Sequence, residues 1–334
     1  MALQKFYWFL ADPEDGSKMP VTLTPGYDLY TGTDEEEQHG TVEQAADQAT
    51  DNWGSDYDGE NYIIVRGGDW NGYQPTYIMS EDQVSDATVE SIAEHCLTGM
   101  SGFNRWRPWL AAVFQEIKNR GYNVKYVFMD VEAPKCSFNM NYAPVSGNDV
   151  HMHEVIRYMQ NHKESRFEAA GMPEMDLTIL DQPSSYYYNL SRFHEYQQMR
   201  NWTEWAWRTM GTALDTAVGV VARAVWPGCV ITNYQQCTYS RHKIIINRNP
   251  WPTVNTGTFE GYSSPPLYLH NDYFLSNLHC LGACEAIGGD KSKIIPWVLS
   301  PRHEGTPDYN INQTIHDSLN EDLENWGIEK VIIW

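Results

Sequence analysis

The feature that most constrains the fold is a recurrence. A short apolar run is followed by a polar loop and then by a segment with helical spacing. The runs are KFYWFLAD (5–12), NYIIVRGGD (61–69), NVKYVFMDVE (123–132), DLTILDQ (176–182), CVITNYQQ (229–236), PLYLHND (266–272), KIIPWVLSP (293–301) and KVIIW (330–334). Each is rich in β-branched or aromatic residues, which suit a pleated, half-buried surface. Between them the spacing predicts helices over 41–53, 81–119 in two pieces, 149–170, 195–224, 273–287 and 312–326. RPWLAAVFQEIKNRG (107–121) has apolar residues at helical intervals and a closing glycine. INQTIHDSLNEDLENWGIEKVIIW (311–334) reads as helix, glycine turn and strand in one line.

Eight candidate strands alternating with helices in 334 residues predict an α/β fold, a (β/α)8 TIM barrel with decorated βα loops, built as one domain over 1–334. The competing layout is an open doubly wound sheet. Against it, no GxGxxG or Walker loop follows any early strand. The chain has no internal repeat, low-complexity segment or long linker, and GTDEEEQHGT (32–41) reads as a solvated loop leading into a helix. The least regular link follows residue 236, where KIIINRNPW (243–251) is a candidate extra strand. A barrel usually continues into a closing helix, so a chain ending on Trp334 is expected to be a fragment or a truncated product.

Barrel active sites are built where strands end. The ends of these runs supply Asp12, Asp69 with Trp70, Asp130 with Glu132, Asp181, Asn233 to Gln235, Asn271 with Asp272, Arg302 with His303, and Trp334. Asp and Asn at loop starts also cap helices, so the weight lies in the set and not in any one member.

The pair at 130 and 132 is sharper. Side chains alternate along a strand, so Asp130 and Glu132 share a face, with Val131 on the other. Tyr126 and Phe128 precede them on that face and are expected to fill the interior. Two carboxyls about 7 Å apart, the i to i+2 repeat of a strand, cannot both ionise freely in a poorly solvated cleft. One then keeps its proton near neutral pH, the state needed to protonate a glycosidic oxygen. The competing readings are a metal site and a capped loop with solvated charges.

Charge bounds the partners. A net charge of −21 and a pI near 4.8 disfavour nucleic acid and anionic membranes, which attract basic surfaces. No stretch approaches the roughly 18–20 apolar residues that span a bilayer. The start, MALQKFYWFLAD, lacks the basic, apolar and cleavage regions of a signal peptide. It fits the mature start of a secreted or extracellular protein with an initiator Met added. A core alone could absorb much of the 13 Trp and 21 Tyr, and carbohydrate-binding clefts also use aromatic faces. The six cysteines lack zinc-ligand spacing and read as buried thiols. In HMHE (151–154), His151 and His153 diverge by roughly 200° on a helix, so that segment reads as a solvated helix start. Tyr186 to Tyr188 and NWTEWAWRTM (201–210) read as packing residues, with a sugar platform as the alternative. Sequons begin at Asn189, Asn201 and Asn312, and no serine or cysteine nucleophile motif appears.

With the strand ends in view, the chain resembles glycoside hydrolase barrels of the Asp-x-Glu type, more narrowly the hyaluronidases and more distantly the chitinases. The similar features are Asp130-Val131-Glu132 closing an early strand, WPGCVITNYQQC with Tyr234, SSPPLYLHND with Tyr268, and the closing VIIW with Trp334. The resemblance implies Glu132 as general acid and then base. It implies Asp130 as the group that orients the substrate's N-acetyl, which attacks the anomeric carbon in place of an enzyme carboxylate. Tyr234 and Tyr268 would steady that group, and Trp334 would form the sugar-stacking floor. The chain departs from hyaluronidases after Glu132, where APKCSF stands in place of Trp and Arg-Pro residues. It lacks the chitinases' further aspartates, with Phe128 and Lys125 at those positions. Its acidity argues against hyaluronan itself.

The expected substrate is therefore a neutral or N-acetylated glycan, with Asp69, Trp70, Asp181, Asn233, Asp272 and Arg302 as further binding residues and no cofactor or metal. If an enzyme nucleophile replaces substrate assistance, Asp181, Glu260 and Asp272 are the candidates, and its distance from Glu132 sets retention or inversion. Two other functions compete: a non-catalytic glycan-binding or structural barrel, and a metal-dependent hydrolase using Asp69, Asp130, Glu132 and a histidine such as His303.

Overall fold

The structure, a computed structural model, describes residues 3–7, 20–23, 41–54, 61–67, 107–131, 152–162, 171–178, 198, 201, 205, 215–234, 262, 264, 265, 267, 290–299 and 313–333. It is an α/β protein with parallel sheets. The described strands are β1 (Gln4–Tyr7), β2 (Val21–Leu23), β3 (Asn61–Gly67), β4 (Val124–Val131), β5 (Val230–Asn233), β6 (Trp297–Val298) and β7 (Lys330–Ile333). They form a four-stranded sheet in the order β2-β3-β4-β5 and a three-stranded sheet in the order β1-β7-β6. Every pairing is parallel, as crossover connections through helices require. A further segment runs beside β6: Leu267 N–H donates to the Trp297 carbonyl (2.7 Å) and Trp297 N–H to the Pro265 carbonyl (2.9 Å).

Helix α1 (Val42–Trp53) starts on a capping box, in which the Thr41 hydroxyl accepts from Gln44 N and the Gln44 side chain accepts from Thr41 N. The other continuous helices among the described residues are α2 (residues 107–119), α3 (Met152–Asn161), α4 (Val220–Val225), entered through a π turn at Asp215–Gly219, and α5 (Gln313–Trp326). Two helices hand over to strands in the same way. After α2, Gly121 takes φ 95° and Tyr122 N–H reaches back to the Ile117 carbonyl. After α5, Gly327 takes φ 94° and Ile328 N–H reaches the Leu323 carbonyl at 2.9 Å. Both are Schellman closures, which need the left-handed backbone that glycine adopts without strain.

Alternation along the strands sorts the apolar residues into two layers. Phe6, Tyr62, Ile64, Tyr126, Phe128, Tyr234, Ile295, Trp297, Leu299 and Ile332 form one buried cluster drawn from both sheets. Tyr126 and Phe128 lie in it as the alternation predicts. Phe6 sits at its hub, with ring centroids 5.0, 4.7 and 4.9 Å from Tyr62, Tyr126 and Phe128. The Tyr62 hydroxyl accepts from Tyr7 N–H (2.7 Å) and donates to the Tyr7 carbonyl (2.8 Å). One side chain of β3 thereby satisfies both backbone groups of a β1 residue. The opposite face of the β1-β7-β6 sheet packs Val298, Val331 and Ile333 against Leu319 and Leu323 of α5.

Two elements differ from the sequence expectation. The short strand β2, VTL, pairs with β3, although its three residues are too few to show a period in the sequence. The predicted strand at 176–182 instead begins as a turn, with a 3₁₀ step at 177–178. Its cause is Asp176, whose carboxylate accepts from the Thr178 backbone N–H (3.0 Å) and hydroxyl (2.8 Å) and so competes with a ladder. Residues 179–182 lie outside the described residues, as do the predicted helices at 81–106 and 273–287 and the candidate strand at 243–251.

Candidate active site

Asp130 occupies the last inward position of β4. The register pairs Ile64 with Phe128, then Arg66 with Asp130. On the other side it pairs Phe128 with Thr232 and Met129 with Asn233, and Tyr234 N–H continues it by donating to the Met129 carbonyl at 2.7 Å. Positions 66, 130 and 234 therefore form a row across three adjacent strands, about 4.8 Å from strand to strand. The row caps the carboxyl ends of the strands, directly above the aromatic interior. Asp130 is half-buried. Tyr234 is buried, and its ring meets Trp297 edge-on at 5.2 Å and 84°, which ties this row to the opposing sheet.

Two of the sequence-predicted site residues, Asp130 and Tyr234, are thus brought side by side. Asn233 has a different place. It pairs with Met129 on the other alternation, is buried, and its amide donates to the Tyr234 carbonyl at 2.9 Å, holding the strand's own exit. Glu132, Tyr268, Trp334, Asp69, Trp70, Asp181, Asp272 and Arg302 lie outside the described residues, as do Glu260 and His303. Glu132 follows the last described residue of β4 by one position, Tyr268 follows Leu267, and Trp334 follows Ile333.

The sequence reading missed Thr232, one row below Asp130. The Thr232 hydroxyl is fully buried with no hydrogen-bond partner, a polar group placed inside an otherwise apolar layer.

Two features lie away from this row. An open cleft of about 400 Å³ is lined by Gln160, Glu174, Met175, Asp176, Leu177 and Gln198. The Gln160 amide is spent on the segment itself, donating to the Pro173 carbonyl and accepting from Met175 N–H. On α5, buried His316 places Nδ1 2.8 Å from the Leu299 carbonyl, and burial pushes its pKa down. Among the described residues no group of three or more His, Cys, Asp and Glu side chains is placed to hold a metal ion, and no helix is long and apolar enough to cross a membrane. Cys229 is buried, and Cys96, Cys136, Cys237, Cys280 and Cys284 lie outside the described residues.

No protein-family model matches the chain, nor does any curated protein or solved structure.

Proposed function

We propose that the protein is a glycoside hydrolase built on a single-domain (β/α)8 barrel and acting on a neutral or N-acetylated glycan. Strand order supports the barrel. Each described strand from β2 to β7 neighbours the one before or after it in sequence, and the first described strand pairs with the last. A doubly wound sheet would instead reverse its order at a switch point. A shared aromatic interior and the Tyr62–Tyr7 hydrogen bonds also draw the two sheets together. On this reading the barrel closes through seams between β1 and β2 and between β5 and the 264–267 segment.

The observation that carries the chemistry is Asp130 beside Tyr234 at the carboxyl ends of parallel strands, where barrel active sites stand. Glu132, two residues on, protonates the glycosidic oxygen and later takes a proton from the attacking water. Asp130 and Tyr234 hold the substrate's N-acetyl group while its carbonyl oxygen attacks the anomeric carbon. That step forms a cyclic intermediate as the leaving-group bond breaks, and water then opens it with net retention. Tyr268 and Trp334 complete the sugar contacts.

The test is a panel of N-acetylated and plain oligosaccharides offered to wild type and Glu132→Gln. Cleavage confined to N-acetylated substrates and lost in the variant, by roughly 10²-fold or more, is the expected result. Cleavage of plain glycans that is still lost with Glu132 moves the nucleophile to another strand end. Turnover unchanged in a folded variant overturns the assignment, and binding without hydrolysis in both proteins favours a glycan-binding barrel.

A further inference from the structure

We propose that Tyr62 is a latch: at Tyr7 its hydroxyl, in place of a strand backbone, closes the outer edge of β1, and releasing it frees that edge while both sheets stay folded. The inference stands apart from the hydrolase reading, because it uses contacts among β1, β2, β3 and their neighbours alone.

Among the described residues β1 is the end strand of the β1-β7-β6 sheet, with β7 beside it. Along a strand in a parallel ladder, the backbone groups of successive residues point to opposite sides. Gln4 N–H donates to the Glu329 carbonyl at 2.9 Å, and Gln4 is the register partner of Lys330. The backbone groups of Gln4 and Phe6 therefore face β7, and those of Lys5 and Tyr7 face the outer edge. There the Tyr62 hydroxyl accepts from Tyr7 N–H at 2.7 Å and donates to the Tyr7 carbonyl at 2.8 Å. A parallel neighbour would meet those two groups with two different residues. Here one side-chain oxygen meets both.

The strand that the barrel reading sets on this edge is β2, and its entry is poorly equipped for pairing. Its ladder with β3 begins at Val21 and Ile63. Before Val21 stands Pro20, which has no N–H to give, and the Pro20 carbonyl already accepts from the Asn52 amide of α1 at 2.7 Å. Tyr62 precedes Ile63 on β3, and its side chain reaches β1 from that level. The ring is buried and meets Phe6 edge-on at 5.0 Å and 70°. That packing uses the ring and not the hydroxyl. Tyr62→Phe therefore removes the latch and leaves the apolar interior filled.

The experiment is native-state amide hydrogen exchange, followed by NMR in wild type and Tyr62→Phe. The Tyr7 amide should be protected in wild type. In the variant its exchange should quicken by roughly 10-fold or more beyond any change at Phe6, which faces β7, or at Phe128 within β4. A wild-type Tyr7 amide that exchanges like an unprotected peptide overturns the proposal by itself. Unchanged protection in the variant overturns it too. An equal rise at all three amides would mean that the hydroxyl adds to overall stability without closing an edge of its own, which also sinks the latch. So would a Tyr62→Phe protein that fails to fold, since the latch is separable from the core. Glycan hydrolysis plays no part in this readout, and its absence would sink the enzyme assignment while leaving the latch standing.

Discussion

The two sheets contribute to one interior but end differently. In the β1-β7-β6 sheet the inward residues Phe6, Ile332, Trp297 and Leu299 are all apolar and nearly without solvent contact. In the β2-β3-β4-β5 sheet the inward row stays apolar through Ile64 and Phe128 and then turns to Asp130 and Tyr234. One sheet acts as a wall and the other carries polar chemistry on its rim. Their stabilities should respond to different insults, because burying an aromatic or aliphatic side chain is worth about 1.5–3 kcal/mol, whereas a rim charge trades solvent for a neighbour at little net gain.

The largest effect expected is at the wall. Trp297 is fully buried, packs on Tyr234 and donates through Nε1 to the Ser264 hydroxyl at 3.0 Å, which itself donates to the Ile295 carbonyl. Trp297→Ala should cost about 3–5 kcal/mol in urea unfolding; a cost under about 1 kcal/mol would mean the wall is not the shared core. Asp130→Asn should show the opposite pattern. Its unfolding midpoint should stay close to wild type, while glycan turnover falls by roughly 10²-fold. A variant as active as wild type, or one that unfolds like Trp297→Ala, would erase the distinction between wall and rim.

The wall also has a pH-sensitive fastening. His316 holds α5 to the Leu299 carbonyl, and with a carbonyl as partner Nδ1 must carry the hydrogen. Burial is the largest influence and lowers its pKa; the Leu299 hydrogen bond opposes this, Lys5 adds to the lowering and Asp317 opposes it. A depressed value means the unfolded chain binds more protons, so the contribution is complete above the unfolded value near 6.5. It is lost as pH falls from there through the folded value, at no more than about 1.4 kcal/mol per pH unit. Wild type should therefore lose more stability between pH 8 and pH 5 than His316→Asn, in which an amide can keep the bond. Parallel losses would remove His316 from the account.

Much of this contrast was legible in the residues. Tyr126, Phe128 and Asp130 could be assigned one face because β4 is eight residues long and its period shows. The hand-over from α5 to β7 was legible because Gly327 and the flanking apolar residues mark it. What escaped is what periodicity does not encode. β2 is three residues long, too short to alternate visibly. The strand predicted from residue 176 reads as apolar and β-branched, yet a local hydrogen bond from Thr178 to the Asp176 carboxylate decides its start. Asn233 was read as a strand-end polar group, and its pairing with Met129 shows that it falls on the other alternation from Asp130.

The smallest effect distinguishes how the helices outside each sheet are held. On the wall side α5 is packed through Leu319 and Leu323 and pinned by a buried histidine. Outside the other sheet, α1 and the end of α2 meet through Arg120, whose Nη1 lies 2.6 Å from Asp47 Oδ1 and whose Nε lies 3.1 Å from Glu116 Oε1. Its guanidinium pKa is raised, chiefly by the Asp47 hydrogen bond, but arginine is charged at every relevant pH, so the shift alters nothing that titrates. The Asp47 side chain is 60% exposed, and water competes for both partners. Apolar contacts do the holding here as well: Trp53 of α1 meets Tyr122 at 5.4 Å, and Phe114 of α2 meets Trp226 at 5.3 Å. Arg120→Ala should cost about 0.5 kcal/mol, with a coupling to Asp47→Ala of about 0.2–1 kcal/mol that shrinks in high salt. A salt-resistant coupling above about 2 kcal/mol would mean that this side, too, is fastened by a desolvated polar contact, and the difference between the two flanks would then lie only at the strand ends.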